Sequence, residues 1–123
     1  MGATPGHRWH AISFDSAKSL TVFGVDPGVP DVDTKDWTGI VAGASRVGDA
    51  IFLATPTAAA ERADLSLFRS DDECASWSAG ALFNAGPAGY SDVNALNATH
   101  GALVFERGAT QFAGEIAFAT FAA

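Results

Sequence analysis

The chain is short of cations. Seven Lys and Arg stand against fourteen Asp and Glu, giving a formal net charge of −7, and lysine occurs only at positions 18 and 35. Such a surface repels a polyphosphate backbone, which argues against nucleic acid as a partner. The single cysteine, Cys74, excludes an internal disulfide and a thiolate zinc cluster, and it reads as a small buried thiol. Long apolar runs are also missing: none reaches the roughly eighteen residues that cross a bilayer, so no membrane span is expected. The opening MGATPGHRWH has neither a basic nor an apolar signal region, and Gly6 stands where a myristoylation signal takes Ser or Thr. No signal peptide is therefore visible.

What the chain does contain is apolar residues in short pieces. At 48% hydrophobic over 123 residues it is rich enough to fold as one modest domain. The pieces are HAIS, LTVFG, TGIVAGA, DAIFLATP, ADLSLF, YSDVNAL, GALVFE and EIAFATF. Each is β-rich or alternating and ends in turn residues, which predicts strands of about four to seven residues and an all-β, antiparallel fold. TAAAERADL has helical propensity, but Pro56 ahead of it and the alternation behind it favour a loop running into a strand. VDPGVPDVDTKDW reads as a long surface loop between strands.

Two stretches repeat a pattern. SDDECASW, Ser70 to Trp77, places Ser, Asp and Ser where SFDSAKSL, Ser13 to Leu20, places them. Asp72 between Ser70 and Ser76, like Asp15 in the upstream copy, can accept backbone N–H bonds and lock a turn, with Trp77 as an apolar plug beneath. A calcium loop would need a glycine at its sixth position, which this stretch lacks, so no metal is expected. The interval between the copies is long for a sandwich hairpin and close to one four-stranded propeller blade.

The pattern resembles the Asp-box, S-x-D-x-G-x-[ST]-W, that caps strand pairs in the propeller blades of sialidases and related proteins. Ser70, Asp72, Ser76 and Trp77 match it, with Cys74 in place of Gly. The upstream copy keeps Ser13 and Asp15 but has Ala17 for Gly and Leu20 for Trp. Downstream, AGYSDVNALNATHGALVFERG followed by EIAFATF is similar to the last blade of the exo-sialidase (neuraminidase) family. RADLSLFRSDDECASW resembles the strand and box before it.

The resemblance covers nearly the whole chain and implies about two blades of a propeller of about six. Residues 1–24 would end one blade, 25–83 would form the next, and 84–123 would supply strands of the last. The first two arginines of the family's triad, the aspartate acid/base and the activating glutamate are then expected upstream of Met1, leaving this chain incomplete and inactive alone. Its partners would be a sialylated glycan substrate and either the missing N-terminal blades or further copies, since open blade faces and edges invite association. No cofactor is implied. A secreted or extracellular setting follows from the resemblance only.

Three residues carry the expected chemistry. Tyr90, the one tyrosine, lies between Gly89 and Ser91 and matches the family's nucleophile. A neutral phenol suits a sugar whose anomeric carbon bears a carboxylate, because an attacking carboxylate would be repelled. Otherwise Tyr90 is a half-buried strand aromatic. Arg62 matches the third triad arginine, whose fork grips a planar carboxylate through two parallel bonds; its alternative is a surface charge beside Glu61. Glu106 matches the acid that orients a triad arginine from behind, or else is an exposed strand-end acid. His7 and His10 would face opposite sides of a strand and share no ligand, and with His100 they read as surface residues. Arg69, Arg107 and Glu115 read as surface charges. Arg8 matches no triad arginine. Asn97-Ala98-Thr99 is a glycosylation sequon in a hairpin turn. Two other readings stand beside the enzyme: a non-catalytic Asp-box module that binds glycan or protein, and an inactive remnant.

Overall fold

The structure is a computed structural model that describes residues 8–26, 28–29, 33–34, 37–38 and 40–123. His7, Asp31 and Asp36 lie outside the described residues. Among the described residues the chain is all-β, with no helix and so none long and apolar enough to cross a membrane.

Among the described residues ten strands follow in order: β1 (Trp9–Ile12), β2 (Thr21–Val25), β3 (Asp33–Thr34), β4 (Trp37–Thr38), β5 (Gly43–Val47), β6 (Ala50–Pro56), β7 (Ala63–Ser70), β8 (Ala81–Asn97), β9 (His100–Arg107) and β10 (Glu115–Ala122). β5 to β10 form one antiparallel sheet in chain order, while β1–β2 and β3–β4 are separate hairpins. Sequence neighbours pair throughout, as short turns between antiparallel strands dictate.

The sheet curls at β8. The first half of this strand pairs with β7, ending at Ala63↔Pro87, and its second half pairs with β9, starting at Ala88↔Arg107. Two features make the change of partner possible. Asp64 adopts a left-handed φ of 60° and its Oδ1 accepts the N–H of Gly86 at 2.9 Å. Pro87, which has no N–H to donate, offers its carbonyl to the Gly108 N–H at 3.3 Å.

Beyond that bend the second half of β8 returns against β5. A Cβ built on Gly43 would lie 2.4 Å from the Asp92 Cα, so the two backbones meet with no side chain between them. The Ser91 hydroxyl reaches across to donate to the Ala54 carbonyl at 2.7 Å. Val47, Phe52, Ala54, Leu65, Val93, Leu103 and Phe105 fill the fold of the sheet. Phe121 packs on Phe52 with ring centroids 4.9 Å apart. Alternation explains this core. In β6, Ala50, Phe52 and Ala54 face inward, and in β10, Ala117, Ala119 and Phe121 do so while Ile116 and Phe118 stay exposed.

One strand expectation is corrected. TGIVAGA is not one strand: Thr38 ends β4, Ile40, Val41 and Ala42 are irregular, and β5 begins at Gly43. Residues 81–89, outside the strand pieces picked from the sequence, are the first half of β8. The proline is tolerated there because it closes the β7 ladder rather than sitting inside it. TAAAERADL is a loop entering β7 at Ala63.

Candidate functional site

The two serine-aspartate turns fold bond for bond alike. Ser70 Oγ accepts the Cys74 N–H at 2.9 Å and donates to Asp72 Oδ1 at 2.9 Å. Asp72 in turn accepts the Ser76 N–H at 2.8 Å and the Ser76 hydroxyl at 2.6 Å. In the upstream turn Ser13 Oγ accepts the Ala17 N–H at 2.7 Å, and Asp15 accepts the Ser19 N–H at 2.9 Å and its hydroxyl at 2.7 Å. Serine donors hold both carboxyls below the ordinary aspartate value, Ser76 contributing most at Asp72 and Ser19 most at Asp15.

Both turns also run through the left-handed region: Ser16 at φ 60° and Ala17 at 64°, Glu73 at 58° and Cys74 at 67°. The second residue of each pair is the one that stands where the motif takes glycine. Trp77 is not sealed beneath its turn. It is half-buried, and its indole N–H donates to Asp26 Oδ2 at 3.0 Å, while Asp26 Oδ1 accepts the Gly28 N–H at 3.0 Å. These turns therefore brace strand ends. Cys74 is half-buried, and burial pushes its thiol up, with Asp26 and Glu73 adding to the effect.

Arg62, Tyr90 and Glu106 come together at the bend of β8. Arg62 immediately precedes β7, and its carbonyl accepts the Ala88 N–H at 2.9 Å. Its guanidinium carbon lies 5.1 Å from the centroid of the Tyr90 ring and 4.5 Å from that of Phe112. A cation at these distances is attracted to the ring faces. Glu106, on β9, accepts the Tyr90 backbone N–H on Oε2 at 3.0 Å. All three are half-buried, so each is oriented by the fold while still reachable from solvent.

Gly89 allows this convergence. A Cβ there would lie 2.4 Å from Glu106 Oε2 and 2.8 Å from the Phe112 ring. Tyr90 and Glu106 open onto a groove of about 210 Å³ that continues past Asp92, Val104 and Ile116. A larger cavity of about 400 Å³, lined by His10, Asp26 and Trp77 among others, lies between the β1–β2 hairpin and the sheet. Its Arg8 donates to the Ile40 carbonyl at 3.1 Å and to the Thr55 hydroxyl.

The remaining charges lie elsewhere. Arg69 pairs with Asp71 at 2.8 Å, Arg107 with Glu115 at 2.6 Å and Arg46 with Glu73 at 2.6 Å, all with exposed side chains. His10 packs near Gly24 and His100 shares a hydrogen bond with the Thr99 hydroxyl. Among the described residues no three His, Cys, Asp or Glu gather at metal-binding range.

Phe112 was not singled out by sequence reasoning. Its signal is present in GATQFAGE, where one bulky aromatic sits in a small, glycine-bounded turn off the strand alternation. Comparison with protein-family models gives no match, and comparison with curated proteins gives none either.

Proposed function

We propose that this chain carries the nucleophile-bearing part of an exo-α-sialidase, a retaining hydrolase of terminal sialic acids, built on two adjacent blades of a propeller. In this reading β5, β6, β7 and the first half of β8 are one four-stranded blade. The second half of β8, with β9 and β10, begins the next, and the β1–β2 hairpin with its own Asp-box is the outer part of the preceding one. A strand that leaves one sheet as its last member and enters the neighbour as its first is how successive blades connect, and the contact of Gly43 with Asp92 is then inner strand against inner strand.

The observation that carries the reading is the meeting of Arg62 and Tyr90. The residue that leads into β7 and the second half of β8 deliver a guanidinium and the only phenol of the chain to one half-buried spot. The Arg62 fork binds the sugar carboxylate, which brings the anomeric carbon toward the Tyr90 hydroxyl. Attack by that oxygen breaks the bond to the aglycone, which leaves as its alcohol with the proton the phenol gives up, and water then cleaves the resulting aryl glycoside to the free sugar and the restored phenol; a phenol avoids the repulsion that a carboxylate nucleophile would meet. Glu106 fixes the backbone of Tyr90 from behind.

Turnover needs more than this. A phenol titrates near pH 10 in reference compounds and must be activated to attack near neutrality. Among the described residues nothing hydrogen-bonds to the Tyr90 hydroxyl. That favours a second reading for the isolated chain, an acidic-glycan binding module, with the N-terminal blades or other copies as the partners an active site would need.

Titration with N-acetylneuraminic acid tests the proposal. The ring resonances of the sole tyrosine should shift with saturation in the native chain and stay fixed in Arg62→Ala. Absence of any shift in the native chain sinks both readings. A weaker affinity in Tyr90→Phe, followed on the Phe112 ring, favours the enzyme, and an unchanged affinity favours the binding module.

A further inference from the structure

The geometry points to Phe112 as a positioning residue for Arg62, a role that rests on the carboxylate-binding function proposed for that arginine. The Arg62 guanidinium carbon lies over two aromatic rings, 4.5 Å from the centroid of Phe112 and 5.1 Å from that of Tyr90. A planar guanidinium that stacks by its faces keeps its N–H groups at its edge, where a carboxylate binds through two parallel bonds. An arginine outside such a stack loses rotamer freedom only when ligand arrives, and that ordering cost is subtracted from affinity. Phe112 thus removes in advance part of the entropy that binding would otherwise lose.

The loop that carries Phe112 is built to hold it still. Residues 108–114 join β9 to β10, and their two ends are pinched together: a Cβ on Gly108 would lie 3.3 Å from the Gly114 Cα and 2.2 Å from the Gln111 carbonyl oxygen. Below the pinch, Glu115 and Arg107 are paired across the ladder and joined by their ion pair at 2.6 Å. At its start, the Gly108 N–H donates to the Pro87 carbonyl at 3.3 Å, tying the loop to the bend of β8 that also delivers Tyr90. The ring rests over Gly89, where a Cβ would meet it at 2.8 Å. Phe112, itself half-buried, is thus carried on a loop closed at both ends and rests over a glycine.

The test compares the native chain with Phe112→Leu and Phe112→Tyr in 15N-labelled form. The Arg62 Nε–Hε resonance is identified by its loss in Arg62→Lys, and Phe112→Met serves if the leucine variant loses its backbone amide dispersion. Exchange of that proton with water should be about fivefold faster in the leucine variant and return to the native rate with tyrosine, as loss of a stacked cation contact of ordinary strength implies. Affinity for N-acetylneuraminic acid should fall by a similar factor and recover likewise. Unchanged Hε exchange in Phe112→Leu overturns the role, and so does a changed exchange with unchanged affinity. If the native chain binds no acidic sugar while Hε exchange responds, the proposed function falls and the hold of Phe112 on Arg62 stands.

Discussion

The Arg62 guanidinium lies over the Tyr90 ring at 5.1 Å, Arg62 standing just ahead of β7 and Tyr90 on β8 beyond the bend at Pro87 and Ala88. A lysine at position 62 would keep the charge but lose both the planar stack and the two-point grip on a carboxylate. Arg62→Lys is expected to weaken N-acetylneuraminic acid binding about tenfold, as loss of one of two charge-assisted bonds implies, with the melting temperature little changed. Isothermal titration beside a thermal melt separates the two effects, and equal affinity would remove Arg62 from the site.

The isolated chain is expected to release negligible sialic acid from a fluorogenic sialoside. One arginine and a phenol with no hydrogen-bonded base among the described residues supply little of the barrier reduction a hydrolase needs. A measurable rate that disappears in Tyr90→Phe would contradict this, since only nucleophilic turnover at Tyr90 depends on that oxygen.

Both glycine positions of the serine-aspartate turns hold larger residues at left-handed φ, Ala17 at 64° and Cys74 at 67°. Glycine adopts this conformation freely, whereas a Cβ there costs about 1 kcal/mol. Ala17→Gly is expected to raise stability by about that amount, because the alanine is exposed and loses nothing else. Cys74→Gly gains less, since the half-buried thiol gives up its contacts. Urea unfolding of the two variants decides it, and a loss of stability in Ala17→Gly would show that the turn is not strained there.

Much of this was legible in the sequence because it is local. The alternation of AIFLATP and EIAFATF states which face is buried, and the spacing of Ser, Asp and Ser states the turn, since every bond in it spans at most four residues. β8 was read only in its second half, YSDVNAL. A Gly-Pro pair marks a turn by local rules, and only the tertiary arrangement, with Asp64 receiving the Gly86 N–H and Gly108 donating to Pro87, lets an extended strand continue through it. Phe112 escaped for a related reason. Its partners Arg62 and Gly89 are distant in sequence, and the pinch that aims it depends on the Gly108–Gly114 approach rather than on any propensity of QFAG.

Acid should loosen the two turns together. The folded values of Asp15 and Asp72 lie below the ordinary aspartate value of 3.8, held down first by the Ser19 and Ser76 hydroxyls. A group lowered in the folded state contributes its stability above the unfolded value and loses it as pH falls through the folded one. Stability should therefore be flat in this respect from neutrality down to about pH 5 and decline below pH 4. In Asp15→Asn and Asp72→Asn the decline should be shallower and the neutral-pH stability lower. Melts across this range check both, and a variant with the native slope would exclude its aspartate as a source of the acid response.

Gly89→Ala is the substitution expected to separate the site from the fold. The added methyl would sit 2.4 Å from Glu106 Oε2, the far end of a flexible side chain, and 2.8 Å from the Phe112 ring. Glu106 can swing aside, but the half-buried Tyr90 N–H then loses its acceptor, a cost of about 1 kcal/mol for a hydrogen bond of ordinary net strength. Phe112 cannot retreat as easily, because its loop is tied at Gly108 to Pro87 and closed at Gly114. Displacing the ring uncovers Arg62, so acidic-sugar binding should fall further than the stability loss alone predicts. The β5–β7 core, with Val47, Phe52 and Leu65, does not touch the new methyl and should keep its hydrogen-exchange protection. Exchange measured by mass spectrometry on this variant should show faster exchange confined to residues 88–92 and 104–115. Uniform acceleration across β5 to β7 would instead mean that Gly89 supports the whole sheet and not the site alone.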